Sequence, residues 1–429
     1  MRFHLVIVIA ACGRTPMMST PGDASVSDQS SQEVQVDTPL QPCSSGAPDP
    51  TFGTGGVTTP PFGNLPAIGS NISEDTSGRI VASGAAIYRS RSTPAVARFL
   101  PGGVLDSTFG TAGTLVLEDD TAVDSWFLSH EHLGDERIAL VGTHGQTVML
   151  VMLTPNGQLD QAFGLNGVVL PSSANPEQGI ALEVDATGRY VVAVQSYESP
   201  SSSVGNWHLM RFMPNGNVDL TFGIGGIAAS SLPSPTYVYD MIKHENGFFA
   251  VGDVSMGATT QIVIVGFTLD GSLDATFGDH GVLTSHVSDG AHGSALAYRD
   301  DTLWIAGGTP DSSNVILGKV VDGHLDPQFG QDGFMQHPIQ GMYQGVTVNS
   351  EYVVAVGAQL SSALVVRHHH SGLVDEGFGD MGKSLITPNY FNSAERVIDH
   401  DGSITIVGYR SESVAPPVGE DFLVARICH

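Results

Sequence analysis

Carboxylates and histidines are the side chains here whose types could support acid–base or metal chemistry, and seven aspartates recur in one setting. Asp49, Asp106, Asp160, Asp219, Asp274, Asp326 and Asp375 each stand three residues ahead of the Phe of a Phe-Gly pair, at Phe52, Phe109, Phe163, Phe222, Phe277, Phe329 and Phe378. A ring of cation sites is one reading of seven equivalent carboxylates. The other is an Asx-type turn, in which each side chain bonds its own backbone two residues on, with the Phe packed beneath. The turn is the expectation, because folding demands the same solution in every repeat and binding rarely does. Phe-Gly-x-x-Gly also lacks the Lys and the following helix of a phosphate-binding loop.

His368-His369-His370 is the most metal-like run. Successive strand residues point to opposite faces, so three adjacent histidines do not converge on one ion, and a surface turn is expected. His130 with His132, His244-Glu245 and Asp279-His280 are expected in loops or turns. None has zinc-pair, metalloprotease or nucleophile-elbow spacing. Trp126 and Trp207 lie in non-repeating segments, where an aromatic either holds a glycan or peptide or packs an edge. No catalytic residue, no metal ligand and no cofactor is assigned from these patterns.

The elements that position these residues come in units of one size. The seven Phe residues are 57, 54, 59, 55, 52 and 49 positions apart, and a further Gly follows each Phe-Gly by three residues. Such a period marks stacked supersecondary units that cannot bury an apolar face alone. Within each unit a short β-prone stretch leads to a second segment and a polar turn such as Asp185-Ala-Thr-Gly188. A strongly apolar strand follows, as in Gly247-Phe-Phe-Ala-Val-Gly252 or Tyr352-Val-Val-Ala-Val-Gly357, then another, as in Leu209-Met-Arg-Phe-Met213. Continuous apolar strands imply burial on both faces. Four strands per unit and seven units predict an all-β chain: a seven-bladed β-propeller of four-stranded antiparallel blades over 49–428. The phase is open by one strand; if shifted, one blade combines strands from both ends of the chain.

The sequence of apolar strand, Leu-Met-Arg-Phe strand and Leu/Val-Asp-x-x-Phe-Gly-x-x-Gly resembles the delta-60 repeat family, with Leu209 to Gly226 close to a consensus copy. The resemblance implies a propeller fold and an exported location, and no active site. Gly266, Gly318 and Met152 stand where the other units carry Arg, which argues against a shared ligand role for that Arg.

The N-terminal residues have Arg2, an apolar run from Leu5 to Ala11, then Cys12. That order describes an export signal over 1–12, and Ile9-Ala10-Ala11-Cys12 resembles the lipobox of bacterial lipoproteins, with Cys12 the lipidated residue. Residues 13–48 are rich in Ser, Pro, Asp, Gln and Thr without an aromatic, so a disordered tether is expected there. Cys43 and Cys428 then flank the repeat array. In an oxidising compartment they suggest a clasp, which requires the two ends to meet as they do in a closed ring. With 17 Lys and Arg against 44 Asp and Glu, the formal charge is −27, a surface that repels nucleic acid. The expected protein is a monomer anchored to the cell envelope, at the outer membrane or cell surface, by its lipid. Its expected role is a non-enzymatic binding or scaffold module for a protein or glycan. The alternative is a metal-dependent hydrolase or lactonase with its site at the central channel mouth.

Overall fold

The computed structural model describes residues 43–429 except 119–122, 203, 231, 233–235, 258, 288–289, 361, 387–390, 401 and 412–419. The signal segment, Cys12 and the tether up to residue 42 lie outside the described residues.

Seven antiparallel sheets form seven blades, numbered here I to VII in chain order. Their innermost strands are Ala67–Glu74, Ser125–His132, Glu177–Val184, Thr236–His244, His292–Arg299, Met342–Val348 and Phe391–His400. In blade I the chain then runs outward through Ile80–Tyr88, Arg91–Phe99 and Thr114–Val116, and the other blades repeat this meander. Blade V adds a two-residue ladder, His324–Leu325, before its outer strand Phe334–His337. The apolar second strands are buried along most of their length; Val191–Val194 and Val353–Val356, for example, have no accessible surface.

The phase is the shifted one. Blade VII takes its outermost strand, Val57–Thr58, from the other end of the chain, paired with Ala425 and Val424 of Glu420–Cys428. Asp-x-x-Phe-Gly therefore sits inside each blade, between its third and outermost strands. Residues 43–48, which composition assigns to the tether, lie against the same blade. The Gly46 amide donates to the Cys428 carbonyl at 2.8 Å, and Pro48 bridges Ile427. Six residues of polar composition gain order here because a strand edge supplies backbone partners. Cys43 and Cys428 form a disulfide with Cα atoms 6.0 Å apart, across a separation of 385 residues.

Seven hydrophobic clusters hold the ring, and each draws on two adjacent blades. Phe222 and Val191 of blade III pack with Phe248 and Phe267 of blade IV, and Val407 and Phe422 of blade VII with Ile72 and Ile80 of blade I. Because the last blade packs on the first, the ring closes through a core shared by blades VII and I.

Candidate functional site

All seven repeated aspartates make the same turn. Each accepts the amide two residues on at 2.9–3.0 Å. Each backbone carbonyl also takes the Phe amide at 2.9–3.1 Å. The Phe rings are buried, the most exposed showing 3%. In blades I, III and VI an Arg of the third strand pairs with the aspartate (Arg98–Asp106 2.9 Å, Arg211–Asp219 2.8 Å, Arg367–Asp375 2.7 Å). These guanidinium groups, and that of Arg426 in blade VII, lie 4.5–4.8 Å from the centre of the Phe ring. Arg98, Arg211 and Arg426 also donate to carbonyls of the next blade, at Pro155, Leu269 and Pro101. The amide of the Phe-Gly glycine crosses the same seam, as in Gly223 to the Asp270 carbonyl at 2.8 Å. Six of the turns tie neighbouring blades together in this way, through Gly53, Gly110, Gly164, Gly223, Gly278 and Gly379.

One sequence alignment is corrected by the hydrogen bonds. In every unit the Asp amide donates to the carbonyl of the residue in the Arg position, and in blade V that residue is Lys319, not Gly318. Lys319 reaches Asp326 at 3.1 Å. Met152 and Gly266 do occupy the Arg position.

Several of the histidines lie in strands rather than in the expected loops and turns. His130 and His132 lie in the innermost strand of blade II. His130 is buried between Ser73 Oγ and Ser83 Oγ, both at 2.7 Å, and burial, then the adjacent His132, hold it down to about 3. It is a neutral link between blades I and II. The run His368-His369-His370 does diverge. His368 is buried on the Tyr343 hydroxyl at 2.8 Å, His369 is exposed, and His370 donates to the Asn349 carbonyl at 3.1 Å. Strand Ser362–His369 contains the first two, so only His370 lies in the turn proper. Asp279 and His280 are exposed in a turn, and Trp207 is buried at 2% while Trp126 is half-buried. Among the described residues, three His, Cys, Asp or Glu ligand atoms lie within 4.8 Å of one another only at Cys43, Asp49 and Cys428, where both thiols are in the disulfide.

The seven units differ from one another at the axis. Every innermost strand carries a β-bulge, which sets one residue outside the strand register: Ser70, Leu128, Ile180, Tyr239, Ser294, Gln344 and Glu395. A bulge bends its strand and re-aims the extra side chain. All seven line one cavity of about 280 Å³ at the centre of the ring. The fold is seven-fold there, and the chemistry is not. Arg396 of blade VII crosses this cavity. It donates to the carbonyls of Gln344 at 2.9 Å and Tyr239 at 3.5 Å, and lies 3.8 Å from Asp240 of blade IV.

Sequence reading missed this ring, although a signal for it exists. The second strands end their apolar run on a glycine in six blades (84, 142, 252, 307, 357 and 408). At Gly252, which pairs beside the bulge, a Cβ would stand 1.7 Å from the Tyr237 carbonyl oxygen. The recurrent Gly marks where the bulged strand presses on its neighbour.

Toward the other end of the channel, Glu131, Glu183 and Asp240 come from blades II, III and IV. Burial pushes the Glu131 carboxyl up to about 7, against the pull of Lys243. Burial, then the Glu131 charge, put Glu183 well above the usual range. Burial also raises Asp240, opposed by Arg396. Lys243 donates to the Val184 carbonyl.

At the mouth, the starts of the blade III and IV inner strands and the adjoining hairpin of blade III widen the cavity into a groove. This second cavity of about 330 Å³ shares Gln178, Tyr197 and Tyr237 with the first. Tyr197 donates its hydroxyl to Gln178 Oε1 at 3.3 Å. The Gln195 amide is fixed by the Asn206 and Thr236 carbonyls (3.1 and 3.2 Å) and by the Val238 amide at 3.1 Å.

A family described as a domain of unknown function (DUF5122) beta-propeller matches residues 76–109 and 186–222. No curated protein matches the chain. Among solved structures the chain is similar to an ulvan lyase of a polysaccharide lyase family, with 9% identity over 85% of this chain and 94% of that one and a TM-score of 0.48. It is also similar to prolyl oligopeptidase B of Galerina marginata (11%, 85% and 51%, 0.41). A Thermus thermophilus oxidoreductase (glucose dehydrogenase) is a third (11%, 70% and 95%, 0.43).

Proposed function

We propose that the propeller is a non-enzymatic binding module whose site is the channel mouth and its groove, and that its ligand is a neutral glycan. One observation carries this reading: Tyr197, Tyr237 and Tyr239 line the channel mouth and its groove beside the amides of Gln178 and Gln195, and among the described residues no Lys lines either cavity and Arg396 is engaged across the channel. Tyrosine faces suit the C–H surface of a sugar ring, and fixed amides and hydroxyls suit its hydroxyl groups. The acidic surface disfavours phosphate or sulfate esters. Calorimetric titration with neutral hexasaccharides (cello-, xylo-, manno- and laminari-) tests it. At least one binds saturably, and Tyr237→Ala weakens it by about fivefold or more, as loss of a stacking contact worth roughly 1–1.5 kcal/mol requires. Absence of saturable binding across the panel, or an unchanged affinity in Tyr237→Ala, contradicts the reading.

The alternative of a metal-dependent hydrolase or lactonase has one supporting observation, the approach of Glu131, Glu183 and Asp240 from three blades within the channel. Their ligand atoms do not gather to within 4.8 Å. A stoichiometric, tightly held metal in the purified protein would favour this alternative over the binding module.

The anchored, exported form belongs to the same proposal. The Cys43–Cys428 disulfide supports it, since such bonds persist in oxidising compartments. Cys12→Ser is expected to move the full chain from the membrane to the soluble fraction of a bacterial host; continued membrane association would oppose lipidation at Cys12.

A further inference from the structure

Blade IV lacks a cation that its sister blades supply. The Arg position holds Gly266, and among the described residues no Arg or Lys pairs with Asp274. Blade II also lacks the Arg, but Arg137 of the preceding hairpin reaches Asp160 at 3.0 Å. Phe249 covers the ring face that a guanidinium takes in the sister blades, and beside it, at the seam between blades IV and V, is a cavity of about 560 Å³. Its walls carry the carboxylates of Asp274, Asp301 and Asp322 and the rings of Phe249, Phe277 and Tyr298. The glycan groove lies at the opposite end of strand Thr236–His244, so the two sites are separate.

The sister blades show what such a space accepts. There a guanidinium pairs with the aspartate, faces an aromatic ring and donates to a carbonyl of the next blade. In blades I and III that carbonyl belongs to the residue just before the one that receives the Phe-Gly amide (Pro155 before Asn156, Leu269 before Asp270). In blade IV the amide of Gly278 goes to Gly323, so the corresponding acceptor is the Asp322 carbonyl. One wall is rebuilt. Phe249, paired with Gly266, leans over Phe277 with ring centres 4.8 Å apart, and His244 stacks on Phe249 at 4.1 Å. Burial keeps His244 below its ordinary range, so at neutral pH the ring adds aromatic surface without opposing charge.

We propose that this cavity is a binding site for a guanidinium group from outside the chain, held by the Asp274 carboxylate and the aromatic wall in place of the absent arginine. The group comes either from a free arginine-like molecule or from an arginine side chain of a partner protein. The assignment is independent of what the channel mouth binds.

Isothermal titration with arginine amide, its neutral isostere citrulline amide, and the tripeptide Gly-Arg-Gly tests it. Arginine amide or the tripeptide binds saturably and citrulline amide does not. Tighter binding of the tripeptide assigns the source to a protein, and tighter binding of arginine amide assigns it to a small molecule. Asp274→Asn keeps an acceptor for the Thr276 amide and removes the charge, so binding falls by about tenfold or more while the melting temperature stays close to the native value. The pair Phe249→Val with Gly266→Arg recreates the Arg211–Val191 arrangement of blade III and fills the site from within, so binding is abolished in a folded protein. Equal binding of citrulline amide, no saturable binding of either arginine probe, or undiminished binding by folded Asp274→Asn would overturn the proposal.

Discussion

At the scale of single residues, the same side-chain type does opposite jobs according to its distance from the axis. Aspartates of the repeated turns accept backbone amides, and Asp219 with its arginine is held below the usual range, whereas in the channel burial outweighs the amide and cationic partners of Glu131, Glu183 and Asp240 and raises them. For Glu131 the sign follows from a folded value near 7 against an ordinary one near 4.5. The folded state prefers the protonated form, so no penalty exists below pH 4.5; destabilisation grows as pH rises from 4.5 to about 7 and levels off above it. Glu131→Gln is therefore expected to leave stability near pH 4 unchanged and to raise it by about 1–2 kcal/mol at pH 8, read from urea midpoints at both values. An equal effect at both pH values would show that the carboxyl is not proton-loaded on folding. The seven turn aspartates were legible because repetition announced them. Glu131, Glu183 and Asp240 were not, because nothing in Ser-Trp-Phe-Leu-Ser-His-Glu-His says which residues face an axis made by six other blades.

At the scale of elements, strand order could be read from apolar runs and turn residues, but the phase could not. Val57–Thr58 reads as the start of a unit, and only pairing with Glu420–Cys428 makes it the last strand of blade VII. Likewise the bulges are set by how each inner strand packs against its neighbours. Their sequence trace is the glycine opposite. Gly252→Ala places a methyl group against the Tyr237 carbonyl, so the strand bearing Tyr237 and Tyr239 must shift. Thermal denaturation is expected to show a loss of about 2 kcal/mol or more, together with weaker glycan binding from the displaced tyrosines. Native stability in this variant would mean the bulge is not held by close contact. The Arg position teaches the same lesson from the other side. Sequence spacing put Gly318 in it, and the backbone puts Lys319 there, because the strand register rather than the local pattern decides which residue meets the turn.

At the scale of the whole molecule, closure joins the two ends of the propeller through backbone pairing, the core shared by blades VII and I, and the disulfide. Composition drew the tether's end at residue 48, yet Gly46 and Pro48 are bonded to the last strand, a contact no local reading contains. Cys428→Ser is expected to cost about 2–5 kcal/mol in an oxidising buffer and nothing further in a reducing one, compared by chemical denaturation of both proteins in both buffers. The ring as a whole divides repetition from individuality: the repeated turns fasten the blades, and seven bulge residues of six types line the axis. The most direct test measures hexasaccharide affinity and melting temperature together in Tyr237→Ala and Phe222→Leu. The account predicts that Tyr237→Ala loses affinity at an unchanged melting temperature, and that Phe222→Leu melts lower with affinity intact. If Phe222→Leu lost binding without losing stability while Tyr237→Ala bound normally, the site would lie on the repeated turns and the account would be wrong.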